Sequence, residues 1–158
     1  MTTTQQPAQL EATIEIDAPP AQVWALVSDP RRIASYSPQV VRTFVLGDGP
    51  VARGTRFVNL NRRGVLFWPT TAEVVRCEPH LDFAFRIKEN WTVWSFRLDP
   101  TSTGGTRVTQ RRETPRGISG ISLGLTRIAL GGVPTFTVEL QQGMHDTLAR
   151  LKQDAESR

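Results

Sequence analysis

Three polar side chains share strand phases with apolar residues, and their types suit ligand recognition. Asn61 alternates in phase with Phe57 on one predicted strand, while Gln110 and Arg112 alternate in phase with Val108 on another. A buried amide without a partner costs about 1–3 kcal/mol, so a ligand oxygen, bound water or a backbone group is needed at Asn61 and Gln110. The Arg112 guanidinium either neutralises a ligand carboxylate or phosphate through a bidentate contact or reaches solvent at the end of its strand.

Residues suited to nucleophilic catalysis are few. Cys77 ends a predicted strand, and His80 follows three residues later. Nearness in sequence does not by itself bring a thiol and an imidazole within hydrogen-bonding distance. His145 falls beside the apolar stripe of the last predicted helix, where we expect it to be exposed. We therefore interpret Cys77 as a structural residue and leave the catalytic residues unassigned.

Candidate groups for acid–base or metal chemistry are similarly sparse. Glu73, Glu113 and Glu139 are in register for acid–base work, although each also fits a solvated surface charge. One cysteine and two separated histidines do not suggest a metal site, and no glycine-rich phosphate-binding spacing occurs. We expect no metal and no cofactor.

The elements that must position these residues follow a simple order. Residues Glu11–Asp17 alternate as a half-buried strand, and two short helices follow, each opened by proline, at Pro20 and Pro30. From Val40 to Thr114 the apolar residues recur with a period of two between short turns. This pattern predicts an antiparallel meander of β-strands.

The C-terminal part has a different period. Pro134 opens a long amphipathic helix with an apolar stripe that includes Phe136, Leu140, Met144 and Leu148. The apolar, glycine-broken segment Pro115–Val133 joins the last strand to this helix. It is longer than the connection requires, so we predict a lid over a cavity; a dimer interface and an inert packed insertion are the alternatives.

Composition and charge limit the class of protein. The 158 residues fit one domain, and 39% hydrophobic with 22% charged residues excludes wholesale disorder. The first ten residues show no signal-peptide pattern, and no run approaches the roughly 18 apolar residues of a membrane span. We expect a cytoplasmic monomer or homodimer with no integral membrane segment.

The net charge of +4 comes mainly from arginine, with a cluster between Arg31 and Arg63. There is no Lys/Arg tract or interleaved aromatic motif of the kind found on nucleic-acid surfaces. We therefore expect no nucleic-acid partner.

The order of elements is that of the helix-grip fold, and a collinear series of short motifs extends the likeness. The motifs, in chain order, are Ile14–Pro20, Val23-Trp24, Asp29-Pro30, Gly54–Phe57, Asn61, Trp68, Ala72–Val74, Glu78-Pro79, Phe83–Phe85, Trp94–Phe96, Gly105–Val108 and Gly143–Lys152. With these residues the chain resembles the START/Bet v 1-like (SRPBCC) superfamily, and within it the bacterial polyketide cyclase/dehydrase and lipid-transport group.

This resemblance implies an α+β fold in which a curved antiparallel β-sheet wraps around a long C-terminal helix, with two short helices after the first strand. It divides the chain into a flexible tail, residues 1–10, and a single ligand-binding domain, residues 11–156. It also implies a cavity between sheet and helix for an apolar small molecule. The residues we expect around the ligand are Phe57, Asn61, Trp68, Phe83, Phe85, Trp94, Phe96, Gln110, Arg112, Phe136, Leu140 and Met144.

Two functions remain open, because one fold hosts many activities. The first is transport or sequestration of a hydrophobic ligand such as a lipid, polyketide or isoprenoid. The second is an enzyme of the cyclase/dehydrase kind that acts on a ligand in the same cavity. A third interpretation is a partner-binding protein whose cavity is vestigial.

Overall fold

Seven antiparallel strands form one curved open sheet, and a long C-terminal helix packs across it. A computed structural model describes residues 10–114 and 133–158, with side chains from residue 138 onward in the second range. The elements are β1 (Leu10–Ile16), α1 (Pro20–Val27), α2 (Pro30–Tyr36), β2 (Val40–Val45), β3 (Arg56–Arg63), β4 (Leu66–Glu78), β5 (Asp82–Ile87), β6 (Val93–Pro100), β7 (Thr106–Glu113) and α3 (Val133–Glu156).

The strand order is β1-β7-β6-β5-β4-β3-β2. Strands β2 to β7 pair with their sequence neighbours as hairpins, and β1 closes the order by pairing with β7. Consecutive hairpins are what the short turns and the period of two predict. The helix-grip α+β prediction is confirmed.

Each of the two short helices begins at a proline, a residue that favours the first turn of a helix. Pro20 and Pro30 each occupy the first turn, where the missing backbone N–H of proline is not needed. Asp29 caps α2 because its carboxylate accepts a hydrogen bond of 3.0 Å from the backbone N–H of Arg31. Helix α3 begins at Val133, one residue before the predicted start.

The buried core lies under the C-terminal half of α3. The apolar stripe of that half buries Met144, Leu148 and Leu151 against residues of α1 and of the concave sheet face, including Val23 and Val108. A second cluster, centred on Phe57 and Phe83, fills the sheet near β3 to β5. The apolar stripe of this half of the helix therefore faces the sheet as predicted.

Polar contacts clamp the end of α3 to the first third of the chain. Lys152 Nζ donates to the backbone oxygen of Glu15 at 2.9 Å, and Gln22 Nε2 donates to the backbone oxygen of Ala155 at 2.7 Å. The Tyr36 hydroxyl on α2 donates to Asp154. Residues 1–9 of the expected tail, 1–10, and residues 115–132 of the expected lid segment, 115–133, lie outside the described residues. Leu10 belongs to β1, and Val133 belongs to α3.

Candidate functional site

A cavity of about 380 Å³ lies between the concave sheet face, α2 and the middle of α3. Pockets for small organic ligands occupy about 300–1,000 Å³, so the space suits one small molecule. The sheet provides Phe57, Asn59, Asn61, Trp68, Thr70, Phe85, Ile87, Trp94, Phe96, Gln110 and Arg112, and α3 provides Glu139, Leu140, Gln142, Gly143, Met144, Asp146 and Thr147.

The structure brings together most of the residues chosen from the sequence. The cavity is lined by Phe57, Asn61, Trp68, Phe85, Trp94, Phe96, Gln110, Arg112, Leu140 and Met144. Cross-strand pairing explains the grouping, since Phe85 faces Trp94, and Phe96 faces Gln110 across the ladder. The ring centroids of Phe57 and Phe85 lie 5.2 Å apart, so these two form a continuous aromatic wall.

Phe83, also expected near the ligand, lies outside this lining. It is fully buried but does not line the cavity. Its ring packs edge-on against Trp24 of α1, with 6.3 Å between the ring centroids. Helix α1 covers this end of the concave face, so Phe83 belongs to the closed core. The side chain of Phe136 lies outside the described residues.

Asn61 is held by its own hairpin. Its Nδ2 donates to the backbone oxygen of Trp68 at 3.2 Å and to the hydroxyl of Thr70 at 3.0 Å. The amide donors are therefore satisfied within β3 and β4. A backbone oxygen, which is one of the partners expected from the sequence, thus accepts one of these hydrogen bonds, and the Thr70 hydroxyl accepts the other.

Gln110 and Arg112 are both buried, but unlike Asn61 they are not held by hydrogen bonds from their neighbours among the described residues. Gln110 Oε1 has no hydrogen-bond partner, and burial lowers the pKa of Arg112 from its ordinary value. The guanidinium carbon of Arg112 lies over the face of Trp94, 5.9 Å from the ring centroid. Gln110 Oε1 and the Arg112 guanidinium are thus two polar groups of the wall for which the described part of the chain shows no hydrogen-bond partner.

The carboxylates near the cavity already have partners. Glu139 is paired with Arg63, and Asp146 accepts from Gln142 Nε2 at 3.0 Å. The other two candidate carboxylates lie away from the cavity: Glu73 pairs with Arg56 and Arg86, and Glu113 pairs with Arg76. Each of the two carboxylates in the described lining therefore has at least one protein partner.

Cys77 and His80 do not form a catalytic pair. Burial raises the pKa of the Cys77 thiol, which opposes thiolate formation. The His80 imidazole packs edge-on against Trp24, with 6.4 Å between ring centroids. Within residues 10–114 and 133–158, no three metal-ligating side chains converge. None of the helices in that part of the chain is long and apolar enough to cross a membrane.

Several cavity residues were missed from the sequence. Asn59 and Thr70 share the strand phases of Asn61 and Trp68, so the period of two could have included them. Gly143 and Thr147 continue the helical spacing of Leu140. By contrast, the connection between α2 and β2, residues 37–39, carries no periodic signal and enters the wall only through tertiary packing.

Comparison with known proteins agrees with this geometry. The family model described as "Polyketide cyclase / dehydrase and lipid transport" matches residues 7–156. No curated protein matches the sequence.

Solved structures share the fold at low sequence identity. A crystal structure of TTHA0849 from Thermus thermophilus is 19% identical with a TM-score of 0.72, covering 94% of this chain and 97% of that one. The Polyketide_cyc-like protein Cgl2372 of Corynebacterium glutamicum is 22% identical with a TM-score of 0.53, covering 94% and 88%. The Aha1 dimer of Colwellia psychrerythraea is 15% identical with a TM-score of 0.61, covering 95% and 97%.

Proposed function

The chain belongs to the polyketide cyclase/dehydrase and lipid transport family, and on this premise we propose that it binds a hydrophobic small molecule in the cavity under α3, for transport or sequestration. The chemical classes that fit are lipids, polyketides and isoprenoids. The single observation that supports this most directly is the aromatic and aliphatic wall around a space of about 380 Å³. Burial of apolar ligand surface stabilises a complex by about 25 cal/mol per Å².

The composition of the wall favours a carrier over an enzyme. Closure or dehydration of a polyketide needs a group that accepts a proton at the reacting carbon. In the described lining the two carboxylates, Glu139 and Asp146, already have partners. A cyclase/dehydrase activity in the same cavity is the competing hypothesis, and it predicts that a bound ligand is chemically changed.

A neutral fluorescent probe tests binding directly. N-phenyl-1-naphthylamine brightens when it leaves water for an apolar site, and we expect saturable binding with one site per chain. Leu140→Gln places an amide on the cavity wall and should weaken binding about tenfold. Val138→Gln makes the same kind of change two residues away at a side chain that is 70% exposed, and it should leave binding unchanged.

Native mass spectrometry of freshly purified protein supplies the second measurement. We expect a co-purifying small molecule, recovered with its mass unchanged after incubation. A ligand whose mass changes would favour the enzyme instead. Absence of saturable probe binding, or equal effects of the two glutamine variants, would contradict the binding proposal.

A further inference from the structure

Arg112 is a cation on an apolar wall. Its side chain is buried, with only 7% of the residue exposed, and it lines the cavity. On the strands beside it the facing residues are Leu10 on β1 and Trp94 on β6. No carboxylate of the described chain pairs with it, whereas Arg63, on strand β3, pairs with Glu139 of the cavity lining.

Burial of a guanidinium in this position destabilises the folded protein unless an anion neutralises its charge. Buried charges in proteins are normally paired, because removal from water is strongly unfavourable. The Trp94 ring offers its negative face to one side of the guanidinium, but it accepts none of the five N–H donors in the geometry of a hydrogen bond. No anionic side chain of the described residues fills this role.

Gln110 stands two residues earlier on the same face of β7. Only 5% of it is exposed, it also lines the cavity, and no donor among the described residues reaches its Oε1. Its strand neighbours are Ala12 and Phe96, which offer no side-chain hydrogen bond. Side chains two residues apart on a strand point to the same side of the sheet and are about 7 Å apart along the strand. Gln110 and Arg112 therefore face the same region of the cavity.

We propose that the ligand is an acidic amphiphile whose carboxylate binds the Arg112 guanidinium. A neighbouring hydroxyl of the ligand, or a water molecule, donates a hydrogen bond to Gln110 Oε1. The apolar body of the ligand lies against Trp94, Phe96 and Met144. This inference rests on the proposed function and names the class of ligand. A carboxylate matches the planar fork of arginine through two parallel hydrogen bonds.

Two probes of nearly the same shape separate this inference from the binding proposal. N-phenyl-1-naphthylamine is neutral, and 8-anilinonaphthalene-1-sulfonate is the same skeleton with an anionic group. We expect the anionic probe to bind about tenfold or more tightly, the usual effect of a charge-assisted hydrogen bond. Competition should show the same preference for an anion, with decanoate displacing a bound probe more effectively than decanol does.

Variants of β7 identify the residue responsible. Arg112→Met should remove the preference for the anionic probe and leave the neutral probe bound. Gln110→Glu places a carboxylate beside Arg112 within the protein and should remove the same preference. Arg111→Met is the matched control, because Arg111 points away from the cavity and pairs with Glu11 at 2.6 Å; it should change neither affinity.

The outcomes are distinct. If neither probe binds in the cavity, the proposed function fails and this inference fails with it. If the neutral probe binds and the anionic one binds no more tightly, or if Arg111→Met lowers anion affinity as much as Arg112→Met, only the anion inference is overturned. Should Arg112→Met fail to fold, Gln110→Glu and the comparison of decanoate with decanol in the unaltered protein decide the question.

Discussion

Trp94 and Arg112 are cross-strand partners on β6 and β7, and the guanidinium carbon of Arg112 lies 5.9 Å from the centroid of the indole ring. This separation is at the outer edge of a cation–π contact, which stabilises by about 0.5–2 kcal/mol depending on how dry the site is. Burial also removes the guanidinium from water and so disfavours its charged form, as the lowered pKa of Arg112 indicates. The groups of the described residues thus compensate the charge of Arg112 only in part.

The first prediction is that Arg112→Met makes the ligand-free protein more stable. Methionine fills similar space without a charge to desolvate, so we expect the free energy of unfolding in urea to rise by about 1 kcal/mol. Arg111→Met, on the opposite face of β7 with its exposed partner Glu11, should change stability by less than about 0.5 kcal/mol. A destabilised Arg112→Met protein would show that Arg112 is compensated in the empty cavity.

The strand faces could be predicted from the sequence, because side-chain direction alternates strictly along a strand. Asn61, Gln110 and Arg112 follow from this alternation, and the structure places all three on the cavity wall. Depth along a strand could not be predicted. Phe83 and Phe85 have the same phase, but only Phe83 lies under Trp24.

Shifts of register between paired strands also could not be predicted from the period of two in the sequence. The pairing of β4 with β5 shifts register between Val74 and Arg76, as occurs at a β-bulge. Beyond the shift Cys77 faces Phe83 across the ladder, which places the thiol near the buried cluster. A bulge depends on how neighbouring strands curve, and that information is tertiary.

The second prediction concerns Gly143 on α3. A Cβ at this position would lie 3.8 Å from Pro38 Cγ, which is ordinary van der Waals contact. Gly143→Ala should therefore raise the free energy of unfolding by about 0.5–1 kcal/mol, since glycine is a poor residue in a helix interior, and keep probe affinity. Gly143→Phe should fill the space between α3 and Pro38 and weaken N-phenyl-1-naphthylamine binding. Equal affinities for the two variants would place the ligand elsewhere.

The third prediction concerns the turn that precedes β7. A Cβ on Gly105 would lie 2.5 Å from the backbone oxygen of Ile16, closer than such atoms approach. Gly105→Ala must push β1 away from the turn, and we expect it to lower the free energy of unfolding by about 1–3 kcal/mol. Gly49→Ala is the control, because nothing lies within 4 Å of its added methyl. Similar urea midpoints for the two variants would contradict this account.

The last prediction is a pH dependence at the contact between α2 and α3. The hydrogen bond from Tyr36 and the contact with Arg158 hold the pKa of Asp154 below its usual range, while burial and Asp154 raise the pKa of Tyr36. The lowered carboxyl pKa contributes stability that is present above about pH 4 and is lost as pH falls through the folded value. The raised phenol pKa contributes stability that is present below about pH 10 and is lost as pH rises through the folded value.

Tyr36→Phe removes the hydroxyl and keeps the ring, so it should lower the free energy of unfolding by about 1 kcal/mol between these limits. The difference from the unaltered protein should shrink toward both extremes of pH, as measured by urea unfolding at a series of pH values. Ser35→Ala also removes a hydroxyl from α2, one bonded only to the backbone oxygen of Arg32, and its effect should not vary with pH. A constant difference for Tyr36→Phe across the whole range would mean that the bond to Asp154 does not form in solution.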